Sequence, residues 1–304
     1  MTETTCGFVA LIGAPNAGKS TLINALVGAK VAAISRKAQM TRAPTRGILV
    51  EGQAQIIFVD TPGLFTPRRR LDRAMTTAAW GAVDDADCLA LLIDARAEIR
   101  AETLSEETEA ILQALSQKKA PKVLALNKID AVERPALLAL AARVNERLAF
   151  DHTFMISALN GDGIDAFRKI LAGMMKPGPW LYPEDQISEG NLRTLAAEIT
   201  REKLFERLHD ELPYQATVET DQWKELPDGS ARIEQTIFVS RESHRKIVLG
   251  EGGRTIKAIG SAARKEIAEA NEAPVHLFLF VKVRENWTDD PERYRAMGLE
   301  FPKN

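Results

Sequence analysis

The run Gly13-Ala14-Pro15-Asn16-Ala17-Gly18-Lys19-Ser20 sets two glycines, an ammonium and a hydroxyl at the spacing G-x-x-x-x-G-K-S. Glycines there let backbone N–H groups turn inward onto phosphate oxygens, and a helix opening at Lys19 adds the partial positive charge of its N-terminus. Lys19 would reach the β- and γ-phosphates, and Ser20, with Thr21 beside it, would close the cradle and hold Mg²⁺. Such a loop does not choose between adenine and guanine. Asn127-Lys128-Ile129-Asp130 does, because a carboxylate at Asp130 can accept both N1–H and N2–H of guanine. Adenine offers no such pair of donors and would leave the carboxylate unpaired, at a cost of kilocalories rather than tenths.

Three further pieces complete a GTP site. Asp60-Thr61-Pro62-Gly63 follows an apolar run, so that Asp60 would bind Mg²⁺ through water and the N–H of Gly63 would sense the γ-phosphate. The polar segment Ser35–Arg42 has no hydrophobic period and reads as a mobile loop. It carries Thr41, the candidate switch threonine, whose hydroxyl would ligate Mg²⁺ only with GTP present. Ser157-Ala158-Leu159 would touch the guanine O6 through its backbone. Lys19, Thr41 and Gly63 are the candidate catalytic residues. Small signalling GTPases follow Asp-x-x-Gly with a glutamine that orients the attacking water; here that position is Leu64, which predicts slow intrinsic hydrolysis. Asn16 is a candidate to help hold K⁺ beside the phosphates, supplying charge as an arginine finger would. The plainer reading is that Asn16 only fixes its loop by local hydrogen bonds.

These pieces need strands to carry them. Between Gly7 and Lys176, short apolar runs (Phe8–Ile12, Ile56–Val59, Cys88–Ile93, Val123–Leu126, Thr153–Ile156) alternate with helical patterns (Lys19–Val27, Leu71–Val83, Glu106–Leu115, Pro135–Ala149). Runs this short and apolar read as strands buried on both faces. Alternating β and α predicts an α/β domain with a mostly parallel sheet, its ligands at the C-terminal strand ends. The expected boundaries are a nucleotide-binding domain over 1–176, a linker over 177–190 marked by three prolines and a glycine in eight residues, and a smaller domain with a C-terminal tail over 191–304.

Composition fits two soluble globular domains. Of 304 residues, 45% are hydrophobic and 27% charged, which argues against a disordered or fibrous chain. A net charge of −2 rules out a uniformly basic coat but leaves room for a local basic patch. Two cysteines make a disulfide framework unlikely and point to a reducing cytoplasm. The four histidines are scattered, without zinc-finger spacing. The N-terminus lacks a basic region before its apolar run, so it does not read as a secretory signal, and no stretch reads as a transmembrane segment.

The second domain reads α-β-β-α-α-β: a long helix from Leu192 to Leu212 ending at Pro213, strands Gln215–Glu219 and Ile233–Val239, helices His244–Leu249 and Thr255–Ala270, and strand Val275–Val283. Between its last two helices stands Gly250-Glu251-Gly252-Gly253. A G-x-x-G loop in that place is the KH signature, where close backbone approach clamps single-stranded nucleic acid, and the order is that of a type II KH domain. The window Arg241–Lys265 holds seven basic against two acidic residues, a surplus of five. The candidate RNA-binding residues are Arg241, Arg245, Lys246, Gly250, Gly252, Gly253, Arg254 and Lys257. The alternative for this window is a solvated helix face. For the whole chain the alternative is a GTP-regulated module that docks protein or membrane; a metabolic P-loop kinase is disfavoured by Asn127–Asp130.

Taken together, the chain resembles the Era family of bacterial GTPases. The resemblance runs through Gly13–Ser20, Arg36-Lys37-Ala38-Gln39, Asp60–Gly63, Asn127–Asp130, Leu181-Tyr182-Pro183-Glu184-Asp185-Gln186, Glu211-Leu212-Pro213-Tyr214 and Lys246–Gly250. It implies GTP/GDP exchange, binding near the 3′ end of small-subunit ribosomal RNA, and a role in maturation of the small ribosomal subunit. It also implies cytoplasmic residence with peripheral association at the cytoplasmic face of the inner membrane. A relative with tandem G domains is excluded by the single P-loop. Two positions depart from the family pattern: Met40, where a second threonine is usual, and Glu251, where lysine is usual.

Overall fold

The computed structural model describes residues 3–35, 37, 40–67, 69–101, 103–208 and 212–302. Arg36, Ala38 and Gln39 of the family-like run, and Glu211, lie outside them. Two compact units divide the chain: Met1–Ala32 with Thr41–Glu189 and Met297–Asn304, and Ala33–Met40 with Gly190–Ala296.

In the first unit the chain runs β1 (Thr5–Ile12), α1 (Lys19–Val27), β2 (Thr45–Glu51), β3 (Ala54–Asp60), α2 (Arg70–Asp84), β4 (Cys88–Asp94), a short α3 (Ala95–Glu98), α4 (Glu106–Ser116), β5 (Lys122–Asn127), α5 (Arg134–Arg147), β6 (His152–Ile156), α6 (Ile164–Gly173) and the two-residue β7 (Lys176–Pro177). The sheet order is β2-β3-β1-β4-β5-β6, with β7 beside β1. The joins from β3 to β6 are parallel, whereas β2 and β7 are antiparallel additions. Side chains alternate faces along each strand, so β1 feeds two cores. Val9 and Leu11 pack under α1 and α6, and Ala10 and Ile12 pack under α2, α4 and α5. Local chemistry sets the helix ends. Ser105 caps α4 by accepting from the Thr108 N–H at 3.3 Å, and three glutamates in the first turn complement the helix dipole.

The segment expected as linker is tied along the first unit. Buried Gln55 of β3 is the anchor: its Oε1 accepts from the N–H groups of Leu181 (2.8 Å) and Tyr182 (3.0 Å), and its Nε2 donates to the Tyr182 carbonyl (2.8 Å). Trp180 donates to the Gln53 carbonyl at 3.1 Å, and Ile48 N–H to the Ile187 carbonyl at 2.9 Å. The end of the chain belongs to the same unit. Leu299 is buried, and the Arg70 guanidinium stands 5.1 Å from the Phe301 ring centroid.

The second unit comprises α7 (Leu192–Arg207), β8 (Ala216–Glu225), β9 (Ala231–Val239), α8 (Glu242–Leu249), α9 (Arg254–Ala270), β10 (Val275–Val283) and α10 (Pro291–Ala296). Its three-stranded sheet has the order β10-β9-β8, antiparallel between β8 and β9 and parallel between β9 and β10. Helices α7, α8 and α9 cover one face. The helix expected to reach Leu212 stops at Arg207, because Leu208 turns to extended backbone (ψ 151°) and inserts into the core. Residues 33–40 belong to this unit. Ile34 N–H donates to Glu202 Oε2 at 2.8 Å, the Met40 carbonyl accepts from Arg201, and Ala33 and Met40 pack on Phe205. The segment expected as a mobile loop, Ser35–Arg42, is therefore held at Met40, and the residue just before it, Ile34, is held as well.

Candidate nucleotide site and nucleic-acid interface

Parallel strands deliver the nucleotide motifs to one edge of the first unit's sheet. The loop from Gly13 to Ser20 leaves β1 and enters α1; Asp60 ends β3, Asn127 ends β5, and Ser157 follows β6. Lys19 is buried and folds back onto its own loop, donating to the carbonyls of Gly13 and Ala14 at 3.0 Å each. Burial pushes its ammonium down to about 8, against the opposing pull of Asp60. These two carbonyls hold the ammonium where nucleotide phosphates would compete for it.

Ser20, Thr41 and Asp60 come together from three segments. Asp60 Oδ2 accepts from Ser20 Oγ at 2.6 Å and from Thr41 Oγ1 at 3.2 Å, and the two hydroxyls are 2.9 Å apart. Asp60 is fully buried, and burial raises its carboxyl above the usual range, opposed by Lys19 and the two hydroxyls. Its Oδ1 is buried without a partner. Two hydroxyls and a carboxylate with a spare oxygen form a hard-oxygen set that suits Mg²⁺ completed by phosphates and water. Thr61, next along, donates to the Leu11 carbonyl at 2.7 Å and locks this loop to β1. Pro62 leads into Gly63, which lies against the phosphate loop: a Cβ there would stand 2.8 Å from Pro15 Cα. Leu64 donates its N–H to the Gly13 carbonyl at 3.1 Å and buries its side chain in the core. It cannot hold a water.

The base side is built around Asn127. Its Nδ2 donates to the Ala17 carbonyl at 2.8 Å, and its Oδ1 accepts from the Ala158 N–H at 3.0 Å. One buried amide thus joins the phosphate loop to the 157–159 loop. Gly18 is required beside it, since its φ is +101° and a Cβ would come within 2.3 Å of Asn127 Nδ2. Lys128, in left-handed backbone, donates from Nζ to the Asn16 carbonyl (2.8 Å) and to Asp94 Oδ2 (2.6 Å). Asp130 is exposed, and its Oδ1 accepts from Ser157 Oγ at 2.6 Å. That bond leaves Oδ2 for a base. Leu159 is exposed. Asn16 is exposed with φ +64°. Sequence reasoning missed Asp94, which clamps Lys128. Its one visible signal is its position at the C-terminal end of an apolar strand.

In the second unit the eight basic and glycine candidates lie on one helix–loop–helix. Gly250, Gly252 and Gly253 all have positive φ, and a Cβ on Gly250 would stand 2.2 Å from Thr255 Oγ1. Lys246 and Lys257 are exposed on either side of the loop. Arg241 is engaged, donating from Nε to His244 Nε2 at 2.7 Å. Burial, then the charge of Arg241, holds the His244 imidazole below its ordinary pKa. Arg245 pairs with Glu242 at 3.0 Å. Arg254 bonds the Glu251 carboxylate and, at 3.2 Å, the Glu251 carbonyl. The acidic residue in the loop thus neutralises the loop's own arginine.

A phosphate loop, an Asn-Lys-x-Asp run at the end of β5 and a G-x-x-G helix–loop–helix mark a P-loop GTPase domain joined to a type II KH domain. Residues 8–128 match the family model of the 50S ribosome-binding GTPases, and residues 211–288 match that of the KH domain. The GTPase Era of Afipia carboxidovorans is 67% identical over 300 residues, covering 99% of this chain and 96% of that protein. The GTPase Era of Bradyrhizobium sp. (strain ORS 278) is 63% identical with the same coverage. The chain belongs to the GTPase Era family, and its activity is GTP hydrolysis. Among solved structures, Era in complex with MgGDPNP and nucleotides 1506–1542 of 16S ribosomal RNA matches with a TM-score of 0.90 and 35% identity. That match covers 97% of this chain and 99% of that one. An Aquifex aeolicus Era variant bound to GDP and aluminium fluoride matches equally well.

Proposed function

We propose that the protein is a GTP-operated RNA-binding switch that acts in small ribosomal subunit maturation by engaging the 3′ region of small-subunit ribosomal RNA. GTP is read by the first unit. Asp130 accepts the guanine N–H pair, the loop from Gly13 to Thr21 cradles the phosphates, and Lys19 exchanges its two carbonyl partners for phosphate oxygens. Ser20, Thr41 and Asp60 would hold Mg²⁺, whose charge would offset the negative charge that develops on the phosphates. Thr41 and the Gly63 N–H report the γ-phosphate. RNA is read by the second unit through Lys246, Gly250, Gly252, Gly253, Arg254 and Lys257, with Arg241 and Arg245 as flanking charge. The observation that carries the guanine reading is the exposed Asp130 carboxylate, held by Ser157 Oγ at 2.6 Å through one oxygen and open at the other.

K⁺ at Asn16 is the proposed substitute for the missing glutamine, supported by buried Leu64 and by the exposed Asn16 side chain on the phosphate loop. Cytoplasmic residence and peripheral attachment to the inner membrane rest on family resemblance. No helix among the described residues is long and apolar enough to cross a membrane. The deciding experiment is sequencing of RNA crosslinked to the protein in lysates held in GTP or in GDP. Enrichment of the 3′ end of small-subunit RNA with GTP is expected. The same RNA profile with both nucleotides would sink the switch reading.

A further inference from the structure

One face of the second unit's sheet lies under α7, α8 and α9. The opposite face carries the alternate residues, Arg232, Glu234, Thr236 and Phe238 from β9 and His276, Phe278, Phe280 and Lys282 from β10. At one end this outer face is covered, since the Arg293 guanidinium stands 4.6 Å from the Phe238 ring centroid and Phe238 is buried. At the other end Phe278 is 42% exposed and Phe280 49% exposed. Two aromatic rings at i and i+2 of one strand stand about 7 Å apart on the same face. Leaving such surface in water forfeits the stabilisation its burial would bring.

The surroundings point to a polyanion with flat, apolar faces. The Arg232 guanidinium lies 4.6 Å from the Phe278 centroid and is fixed there by Glu234 at 2.8 and 3.1 Å. His276, Lys282 and Lys224 are exposed on this face. Its acidic groups are engaged: Glu219 by Arg293, Asp221 by the Thr236 hydroxyl at 2.6 Å, and Glu234 by Arg232. We propose that Phe278 and Phe280 form a stacking platform for unpaired bases of single-stranded RNA, with Lys224, His276 and Lys282 placed toward its phosphates. An x-F-x-F strand on an open sheet face is how other RNA-binding sheets stack bases. This contact is separate from the Gly250–Gly253 loop, whose helices pack on the opposite face. The proposal rests on the second unit being the RNA-binding part, and it adds a site to that reading.

The test uses the full chain with a GTP analogue and a labelled RNA of nucleotides 1506–1542 of 16S ribosomal RNA, titrated at several salt concentrations. The double variant Phe278→Leu/Phe280→Leu keeps apolar strand residues and removes the π-faces. It should weaken binding about tenfold or more, the scale of base–aromatic stacking, with an unchanged salt slope. Phe278→Tyr/Phe280→Tyr should bind as the native chain does. By contrast Arg254→Ala/Lys257→Ala in the loop should weaken binding and flatten the slope. Native affinity in the leucine variant overturns the platform. So does a tyrosine variant as weak as the leucine one, or sedimentation showing that the native chain self-associates and the leucine variant does not. A loss in the loop variant alone overturns the platform and leaves the RNA reading standing. A native chain that does not bind the RNA overturns both.

Discussion

Replacing Asn127 by alanine should damage the nucleotide site without altering which base it prefers. The side chain contacts two backbone groups, the Ala17 carbonyl and the Ala158 N–H, at 2.8 and 3.0 Å, and Asn127 is 2% exposed. Truncation leaves both groups unpaired in a buried place, at about 1–3 kcal/mol each. Water entering from the nucleotide side would recover part of this, so about 2–4 kcal/mol is expected. For a unit of this size that corresponds to roughly 10 °C in the midpoint of its thermal transition. Gly18→Ala attacks the same bridge from the other side, by driving a Cβ against Asn127 Nδ2. Calorimetry of nucleotide-free protein measures the loss, and titration with fluorescent guanine and xanthine nucleotides measures selectivity. GTP and GDP affinities should fall together in both variants while guanine stays preferred over xanthine. A transition within a degree of the native one, or a changed base preference, would refute the bridging role.

Asp130→Asn offers an amide where guanine needs an acceptor; it should shift binding toward xanthosine nucleotides, which competition titration reads directly. Nucleotide affinity should be flat below about pH 8 and fall by up to tenfold per pH unit above it. Burial sets the Lys19 pKa at about 8, and only the protonated form can bind phosphate; affinity unchanged to pH 9.5 would rule this out. Hydrolysis should be faster in K⁺ than in Na⁺ at matched ionic strength and lose that difference in Asn16→Ala, as phosphate release assays would show. Glu251→Lys removes a carboxylate from the G-x-x-G loop and frees Arg254 from its ion pair. RNA binding should tighten, more at low salt than at high, with a slope steeper by about 0.7 for each added phosphate contact.

The strands that carry the nucleotide motifs were legible because burial on both faces writes them as short apolar runs. Strand β2 has no such run: Thr45-Arg46-Gly47 opens it, and only Gly47 and Ile48 are buried. Helix α7 was placed by its leucines, but its middle buries Thr200, Arg201, Glu202 and Lys203, which no apolar period reports. Lys203 is held there by Glu202 and Glu266, both at 2.6 Å. A charged residue in a sequence reads as solvent-facing by default, and only the partners the fold gives it, here one adjacent and one distant along the chain, reverse that.

The same asymmetry separates what the site showed in advance from what it hid. Residues proposed to face a ligand have types dictated by the ligand's chemistry, so Lys19, Ser20, Asp60 and Asp130 stood out as candidates in the sequence. Residues that face the protein's own backbone do not announce themselves, because any amide or carboxylate could serve. Gln55, Asp94 and Glu202 each hold a main-chain group or a lysine from a remote segment. The segment Ser35–Arg42 shows the consequence. Its polar composition predicted a mobile loop, yet the Met40 carbonyl is held by Arg201 of α7, and the next residue, Thr41, bonds Ser20 and Asp60. The chain thus leaves the second unit at Met40 and enters the first at Thr41. Hydrogen bonds from side chains remote in sequence hold Met40 and Thr41 where hydrophobic periodicity reports nothing.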